Sequence, residues 1–190
     1  MNTEDSSRTL QAHSQTAGSG VRLPANGLVL RAPSLDDARQ VHALVQACPP
    51  LDVNSLYVYL LLSHHHAETC VVAQGANGLL QGFVSAYIPP KMPDTLFVWQ
   101  VAVHESARGT GLGGKMLSHL LERPALAGIS FIETTVGPDN AASRGMFASL
   151  ACKRNTQIAE SALFEMHHFG HEAHEEERLL RLGPLSACPG

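Results

Sequence analysis

The residues best suited to chemistry form one run, Ala107-Arg108-Gly109-Thr110-Gly111-Leu112-Gly113-Gly114-Lys115. Closely spaced glycines let backbone N–H groups converge on an anion, and a helix opening behind them adds its positive dipole end. Met116, Leu117, Leu120 and Leu121 follow at helical spacing and predict that helix. A phosphate or pyrophosphate is the ligand such a run suits. Three readings compete for it. Gly109, Gly111 and Gly114 satisfy GxGxxG, and Glu133 stands about 20 residues on, where a dinucleotide fold places its ribose-binding acid. Yet the preceding strand ends near Val103, a loop from His104 to Arg108 intervenes, and too little chain follows for a second mononucleotide half. Gly109, Gly114 and Lys115 also fit GxxxxGK. There Met116 stands where a hydroxyl must ligate magnesium, and a thioether cannot do so. The third reading takes Arg108-x-x-Gly111-x-Gly113 after a buried strand and a short loop, with Asn140-Ala141-Ala142-Ser143 opening a later helix.

The elements that would carry these groups can be traced along the 190 residues. Residues 1–25 are polar and without hydrophobic period, a disordered arm by expectation. One domain is expected over 26–184, with 185–190 as a tail. GLVLRAP opens it as a strand, and Ser34 with Asp37 gives a capping-box spacing ahead of a helix through Val41, Leu44, Val45 and Cys48. A second helix starts near Asn54 or Ser55; its run LYVYLLL has no polar face, which predicts burial or a pocket wall. TCVVAQ and LLQGFVSAY flank an Asn77-Gly78 turn as a hairpin. TLFVWQVAV is apolar on both faces and so belongs mid-sheet with cover on each side. Phe97, Trp99, Val101 and Val103 would face one way, Leu96, Val98 and Ala102 the other. ISFIETTV is a further strand, residues from about Asp139 to Leu150 a helix, and ERLLRLG a closing strand, with one more strand unassigned between them. The expected class is α/β: a mixed, mostly antiparallel sheet flanked by helices.

Composition excludes several functions. Apolar residues make up 44% and charged residues 16%, enough for a real core, and the formal charge of -4 argues against nucleic acid as partner. No apolar stretch reaches membrane-spanning length, and no secretory signal opens the chain. Four scattered cysteines fit reduced thiols in a cytoplasm. None lies near the glycine run in sequence, so nothing suggests a covalent acyl-enzyme. Among eleven histidines, His64, His65 and His66 are consecutive and cannot converge on one ion from a helix. His167, His168, His171 and His174 have helical spacings beside Glu175 but no Cys partner or HExxH motif, and no metal is expected.

With Arg108, Gly111 and Gly113 and the later Asn140 segment in this order, the chain resembles the GNAT family of N-acetyltransferases. LDVNSLYVYLLL, TCVVA, GFVSAYIPP, LFVWQVAV and HEEERLLRLGP narrow the resemblance to the L-2,4-diaminobutyrate acetyltransferases of bacterial ectoine biosynthesis, over roughly Leu28 to Pro184. The resemblance implies a GNAT fold whose mid-sheet strand splays to bind acetyl-CoA. It implies acetyl transfer to the 4-amino group of diaminobutyrate by direct attack in a ternary complex, and a homodimer. The alternatives are another small diamine or amino acid as acceptor, or an acyl-CoA sensor without chemistry.

The reaction needs an amine free of its proton, a stabilised oxyanion, a departing thiolate and aligned substrates. Carried onto this chain, the family pattern makes the N–H of Val101 the oxyanion donor and has Val103 support the pantetheine arm. Arg108, Gly109, Gly111, Gly113 and Gly114 hold the pyrophosphate, and Asn140, Ser143 and Phe147 complete the cofactor side. Asn140 is equally well read as a helix cap. Many members carry a Tyr where Phe147 stands; Phe has no proton to give. Tyr57, Tyr59 or Tyr87 then substitutes, or the thiolate leaves unaided, as a thiol with a pKa of about 8.5 can. A diamino acid calls for acids and a donor. Asp52, at the head of the second helix, is a substrate contact or a cap. Glu133 is the candidate base, directly or through water, or a solvated acid at a strand end. Trp99 offers a cation–π wall or core packing. Tyr57 and Thr135 are further pocket candidates, and His174 a contact from a segment folding over the acceptor.

Overall fold

Val71, Val72, Ala73, Phe83, Val84, Leu96, Val98 and Ile132 are buried to 1% exposure or less, and these strand-forming types assemble one sheet. The computed structural model describes residues 27–169 and 177–185. In chain order these form β1 (Val29–Arg31), α1 (Ala38–Gln46), α2 (Leu56–His65), β2 (Val71–Gln74), β3 (Leu80–Tyr87), β4 (Thr95–Val103), α3 (Leu112–Leu121), β5 (Phe131–Val136), α4 (Ala141–Lys153), β6 (Ile158–Phe164) and β7 (Glu177–Leu182). The seven strands order as β1-β2-β3-β4-β5-β7-β6. All neighbours are antiparallel except β4 and β5. Among the described residues no helix is long and apolar enough to cross a membrane.

Helices cover both faces. Met116, Leu117 and Leu120 of α3 and Phe147 and Leu150 of α4 pack on Val84, Leu96, Val98 and Ile132. Val41, Leu44 and Val45 of α1 with Tyr59 and Leu62 of α2 pack on Val72, Phe83 and Ala102. The start of α1 is fixed by Asp37, whose carboxylate accepts from the Ser34 N–H and hydroxyl and from both terminal nitrogens of Arg31 at 2.7–2.8 Å. The capping-box spacing is present, with a 3-10 turn at Leu35–Asp37 preceding the α-helix.

Two readings from periodicity need correction. In β4, Ser85 pairs with Gln100 and Ala86 with Val98, so Trp99 is an extra residue, a β-bulge. The bulge reverses the alternation. Leu96, Val98, Val101 and Val103 share the α3–α4 face, while Gln100 and Ala102 turn toward α1 and α2. Strict period-two reading had put Val101 and Val103 with Phe97 and opposite Leu96. In α2 only Tyr59, Leu62 and Ser63 are buried, and Tyr57 and Leu61 face outward at 66% and 37% exposure. An all-apolar run carries no period from which to tell its inner side.

The unassigned strand is β6. It is an edge strand, exposed from Ala159 to Phe164, and neither of its faces is consistently apolar. Its sheet membership comes from pairing to β7, which the alternation within IAESALF cannot reveal.

Candidate active site

Strand pairing opens the site. β4 and β5 pair only from Thr95–Phe131 to Val98–Thr134, although β5 continues on β7 as far as Val136. Beyond Val98 the two parallel strands part. The Gln100 N–H is turned toward β3, where the Ser85 hydroxyl accepts it at 3.1 Å. Successive N–H groups alternate sides along a strand, so the N–H of Val101 points into the gap.

The glycine run lies at the mouth of this gap. Gly109 and Gly111 sit at φ +76° and +75°, left-handed conformations that strain any L side chain. A Cβ placed on Gly109, Gly111 or Gly114 would meet nothing within 4 Å, so these backbones face open space. Helix α3 begins at Leu112 with Gly111 as a cap that has no side chain. The N–H of Lys115 is the first to bond back into the helix, to Gly111 O at 3.0 Å. Those of Leu112, Gly113 and Gly114 are left for a ligand. At Gly113 a Cβ would lie 2.5 Å from Met146 Sδ and 3.5 Å from Val101 Cγ1, so its lack of a side chain lets α3 close on α4 and β4.

These groups line a cleft of about 570 Å³ with Val101, Val103, Arg108, Asn140, Ser143 and Lys153. Among its described lining residues Arg108 and Lys153 are the only charged ones, and both are cations. Arg108 is anchored through Nε to Val103 O at 3.2 Å. A ligand with a long neutral arm and a polyphosphate end fits this lining. Cys48 also reaches it, with its thiol donating to Val103 O at 3.3 Å. Sequence distance had kept this cysteine away from the glycine run; the fold brings it to the cleft, beside Val103 rather than at Val101.

A second cleft, of about 810 Å³, adjoins the first and shares Leu51, Val101, Asn140 and Ser143 with it. Asp52, Trp99, Thr135 and Phe147 line it, together with Asp139 and Glu177. Three carboxylates and no Lys, Arg or His stand among its described lining residues. Trp99 is 41% exposed there because the bulge releases it from the core. Asn140 Oδ1 caps α4 by accepting the Ser143 N–H at 3.0 Å, and the residue lines both clefts. The cap and the ligand readings of Asn140 are compatible. No group of three potential metal-ligating side chains occurs among the described residues.

Not every expected residue comes to the site. Glu133 is 5% exposed, ion-paired with Arg181 opposite it on β7, and lines neither cleft. Arg181 in turn lies 3.9 Å over the Phe131 ring. Tyr57 lies on the outer side of α2, away from both clefts, and Tyr87 packs on Phe97 at 5.3 Å. Phe147, expected on the cofactor side, is buried at 2% beneath the second cleft. His174 lies outside the described residues. Sequence reading missed Lys153, Asp139 and Glu177. Glu177 stood in an acidic run that reads equally as a charged surface, and only its position as the first residue of β7, beside the β4–β5 gap, distinguishes it.

A strand gap with a free N–H, a glycine cradle and an Asn-capped helix are the parts that the third reading of the glycine run required. The sequence profile of the Acetyltransferase (GNAT) family matches residues 38–151. The chain belongs to that family. It is 53% identical over 171 residues to an L-2,4-diaminobutyric acid acetyltransferase of Bordetella parapertussis, covering 89% of this chain and 92% of the relative. It is 44% identical over 161 residues to one of Halomonas elongata, covering 85% and 83%. Among solved structures, diaminobutyrate acetyltransferase EctA from Paenibacillus lautus, in complex with its substrate L-2,4-diaminobutyric acid and coenzyme A, superposes with a TM-score of 0.82. It is 37% identical, and the match covers 87% of this chain and all of that one. The GNAT fold expected from the motif order is the fold observed, a mixed sheet with helices on both faces.

Proposed function

We propose that this GNAT protein transfers the acetyl group of acetyl-CoA to the 4-amino group of L-2,4-diaminobutyrate, giving N4-acetyl-L-2,4-diaminobutyrate in ectoine synthesis. The observation that carries the reading is the meeting of two clefts of opposite charge at Val101: a cationic one with a glycine cradle and an acidic one whose carboxylates suit a diamine. Identity to named diaminobutyrate acetyltransferases supports the choice of acceptor.

In this scheme the N–H groups of Leu112, Gly113 and Gly114 and the α3 dipole take the pyrophosphate with Arg108, while Val103 and the β4 edge hold the pantetheine arm. The thioester carbonyl then lies at Val101, whose N–H stabilises the oxyanion; one such donor contributes about 3–4 kcal/mol to acyl-transfer barriers. Asp52 and Glu177 draw the ammonium groups into the second cleft, Trp99 walls it, Thr135 offers a hydroxyl, and His174 adds a contact from its segment. The deprotonated amine attacks the carbonyl carbon, the C–S bond breaks, and the CoA thiolate leaves. Phe147 cannot protonate it, so water does. The amine proton departs through water, and Glu133 takes part only by that route because Arg181 holds it beside the cleft. Tyr57, on the outside of α2, has no part in this scheme.

The finer readings from resemblance belong to the same proposal: one catalytic domain over 26–184, action in the cytoplasm, and a homodimer. The outward Tyr57 and Leu61, with Val53 at 48% exposure, support a self-association surface. Light scattering after size exclusion reads the oligomer directly.

The deciding experiment follows thiol release from acetyl-CoA with diaminobutyrate, ornithine, lysine, 1,3-diaminopropane and a short peptide, with products identified by mass spectrometry. Preference for diaminobutyrate with acetylation at the 4-amino group is the expected result. Preference for another amine retains the donor site and discards the acceptor assignment. Tight CoA binding without turnover of any amine selects the sensor.

A further inference from the structure

The bulge that exposes Trp99 has a second effect, on its neighbour. Gln100 is turned away from the α3–α4 face and is buried at 4% exposure. Its Nε2 donates to the backbone oxygen of Asp52 at 2.7 Å, and its Oε1 accepts a long bond, 3.5 Å, from the Tyr59 hydroxyl. That hydroxyl, on a side chain with no exposure at all, also accepts the Asn54 N–H at 3.3 Å. The segment from Asp52 to Ser55 has no regular secondary structure, and Asp52 and Val53 are exposed. Two of its backbone groups are thus tied to a buried polar pair, one member on β4 and the other on α2.

Such ties are stiff. Releasing either leaves a buried amide or hydroxyl without its partner, and an unsatisfied buried polar group is costly. A segment without regular secondary structure is therefore held in place from beneath. Gln100 is also the residue immediately before Val101, so a single stretch of strand locates both the gap-facing N–H and the loop that carries Asp52. The acceptor wall is indexed to the donor site through one glutamine.

We infer that Gln100 and Tyr59 are positioning residues that set acceptor affinity and chain-length selectivity by fixing the Asp52–Asn54 segment at the junction of the two clefts. The inference rests on the reading of Asp52 as an acceptor contact. It adds that the contact is made by a loop whose placement is imposed from beneath.

Tyr59→Phe is the sharp test, because it removes one oxygen and keeps the ring that packs against His42 and Phe83. With the bonds to Asn54 and Gln100 lost, the KM for diaminobutyrate is expected to rise about tenfold, the equivalent of roughly 1.4 kcal/mol, with the KM for acetyl-CoA within about twofold. The preference for diaminobutyrate over ornithine should fall by a similar factor. Gln100→Leu, which loses the shorter bond to the Asp52 backbone, should do the same more strongly wherever it folds. Amide hydrogen exchange of the free protein gives a readout that needs no turnover: the peptide spanning residues 52–56 should exchange faster in Tyr59→Phe, with the sheet unchanged. Equal increases in both KM values would mean general loosening and overturn the inference. So would an unchanged exchange rate, or faster exchange with no change in the KM for diaminobutyrate. If the unaltered protein acetylates no diaminobutyrate, the functional reading fails, while the exchange comparison still decides whether the tie exists.

Discussion

The two clefts, proposed for donor and acceptor, share Leu51, Val101, Asn140 and Ser143 and are made in opposite ways. The donor cleft is backbone: two left-handed glycines, the first N–H groups of α3, and the gap-facing edge of β4. Most of it comes from one stretch of chain, Val101 to Gly114, with α4 laid across it and Cys48 to Leu51 at its side. The acceptor cleft is side chains: Asp52 from a loop, Trp99 from a bulge, Thr135 from β5, Glu177 from β7. Backbone donors cannot be changed by substitution without changing conformation, so such a site stays constant while the other can be re-specified one side chain at a time.

Substitutions can break this contrast or sharpen it. The largest effect is expected at Gly111. Gly111→Val places a β-branched residue at φ +75° on the helix cap, and kcat/KM for acetyl-CoA should fall about 100-fold or more in steady-state assays, with the fold retained by circular dichroism. If diaminobutyrate affinity fell equally, the two clefts would not be separable. Next comes Asp52→Asn, which removes a charge opposite an ammonium. The KM for diaminobutyrate should rise about 10–100-fold with that for acetyl-CoA unmoved, since hydrogen bonds to charged groups contribute about 1.5–3 kcal/mol. Lys153→Ala tests the far end of the donor cleft. An exposed cation facing phosphate is worth up to about 1 kcal/mol, so the KM for acetyl-CoA should rise about three- to fivefold and the increase should vanish in high salt.

The smallest effect concerns stability alone. Glu160 on β6 accepts from Arg144 of α4 and Arg178 of β7, and these bonds pull its carboxyl down to about 2. A carboxyl lower in the folded than in the unfolded state stabilises fully above its unfolded value of 4.5 and loses that contribution as pH falls toward 2. Glu160→Gln should therefore flatten the pH dependence of the unfolding midpoint within that window and alter neither KM.

What sequence revealed divides along the same line. The glycine spacing, the Asn140 segment and the strand–loop–helix order specify conformation directly, so the donor side was legible down to Val101. Trp99, Asp52 and Thr135 were reachable through resemblance, and all three line the acceptor cleft. Glu133 was attractive as an acid expected at a strand end, but it lies inside β5, where cross-strand register sets it against Arg181, and register between β5 and β7 is a long-range property. The reversal of faces in β4 was hidden because an inserted residue inside an all-apolar run leaves no break in the pattern. Lys153 and Glu177 lie far from the motif in sequence and close to it in space.

The sheet order has a consequence in time. β7 lies between β5 and β6, yet among the described strands it is the last to be made. When β6 leaves the ribosome it has no neighbour, since the edge it will occupy does not yet exist. Until Glu177–Leu182 follows, β5 presents an open flank, and Leu163 and Phe164 of β6 travel with an unpaired strand beside it. A nascent chain paused between these strands would hold its glycine cradle complete and its acceptor wall unfinished, with a free sheet edge inviting any other extended segment to pair.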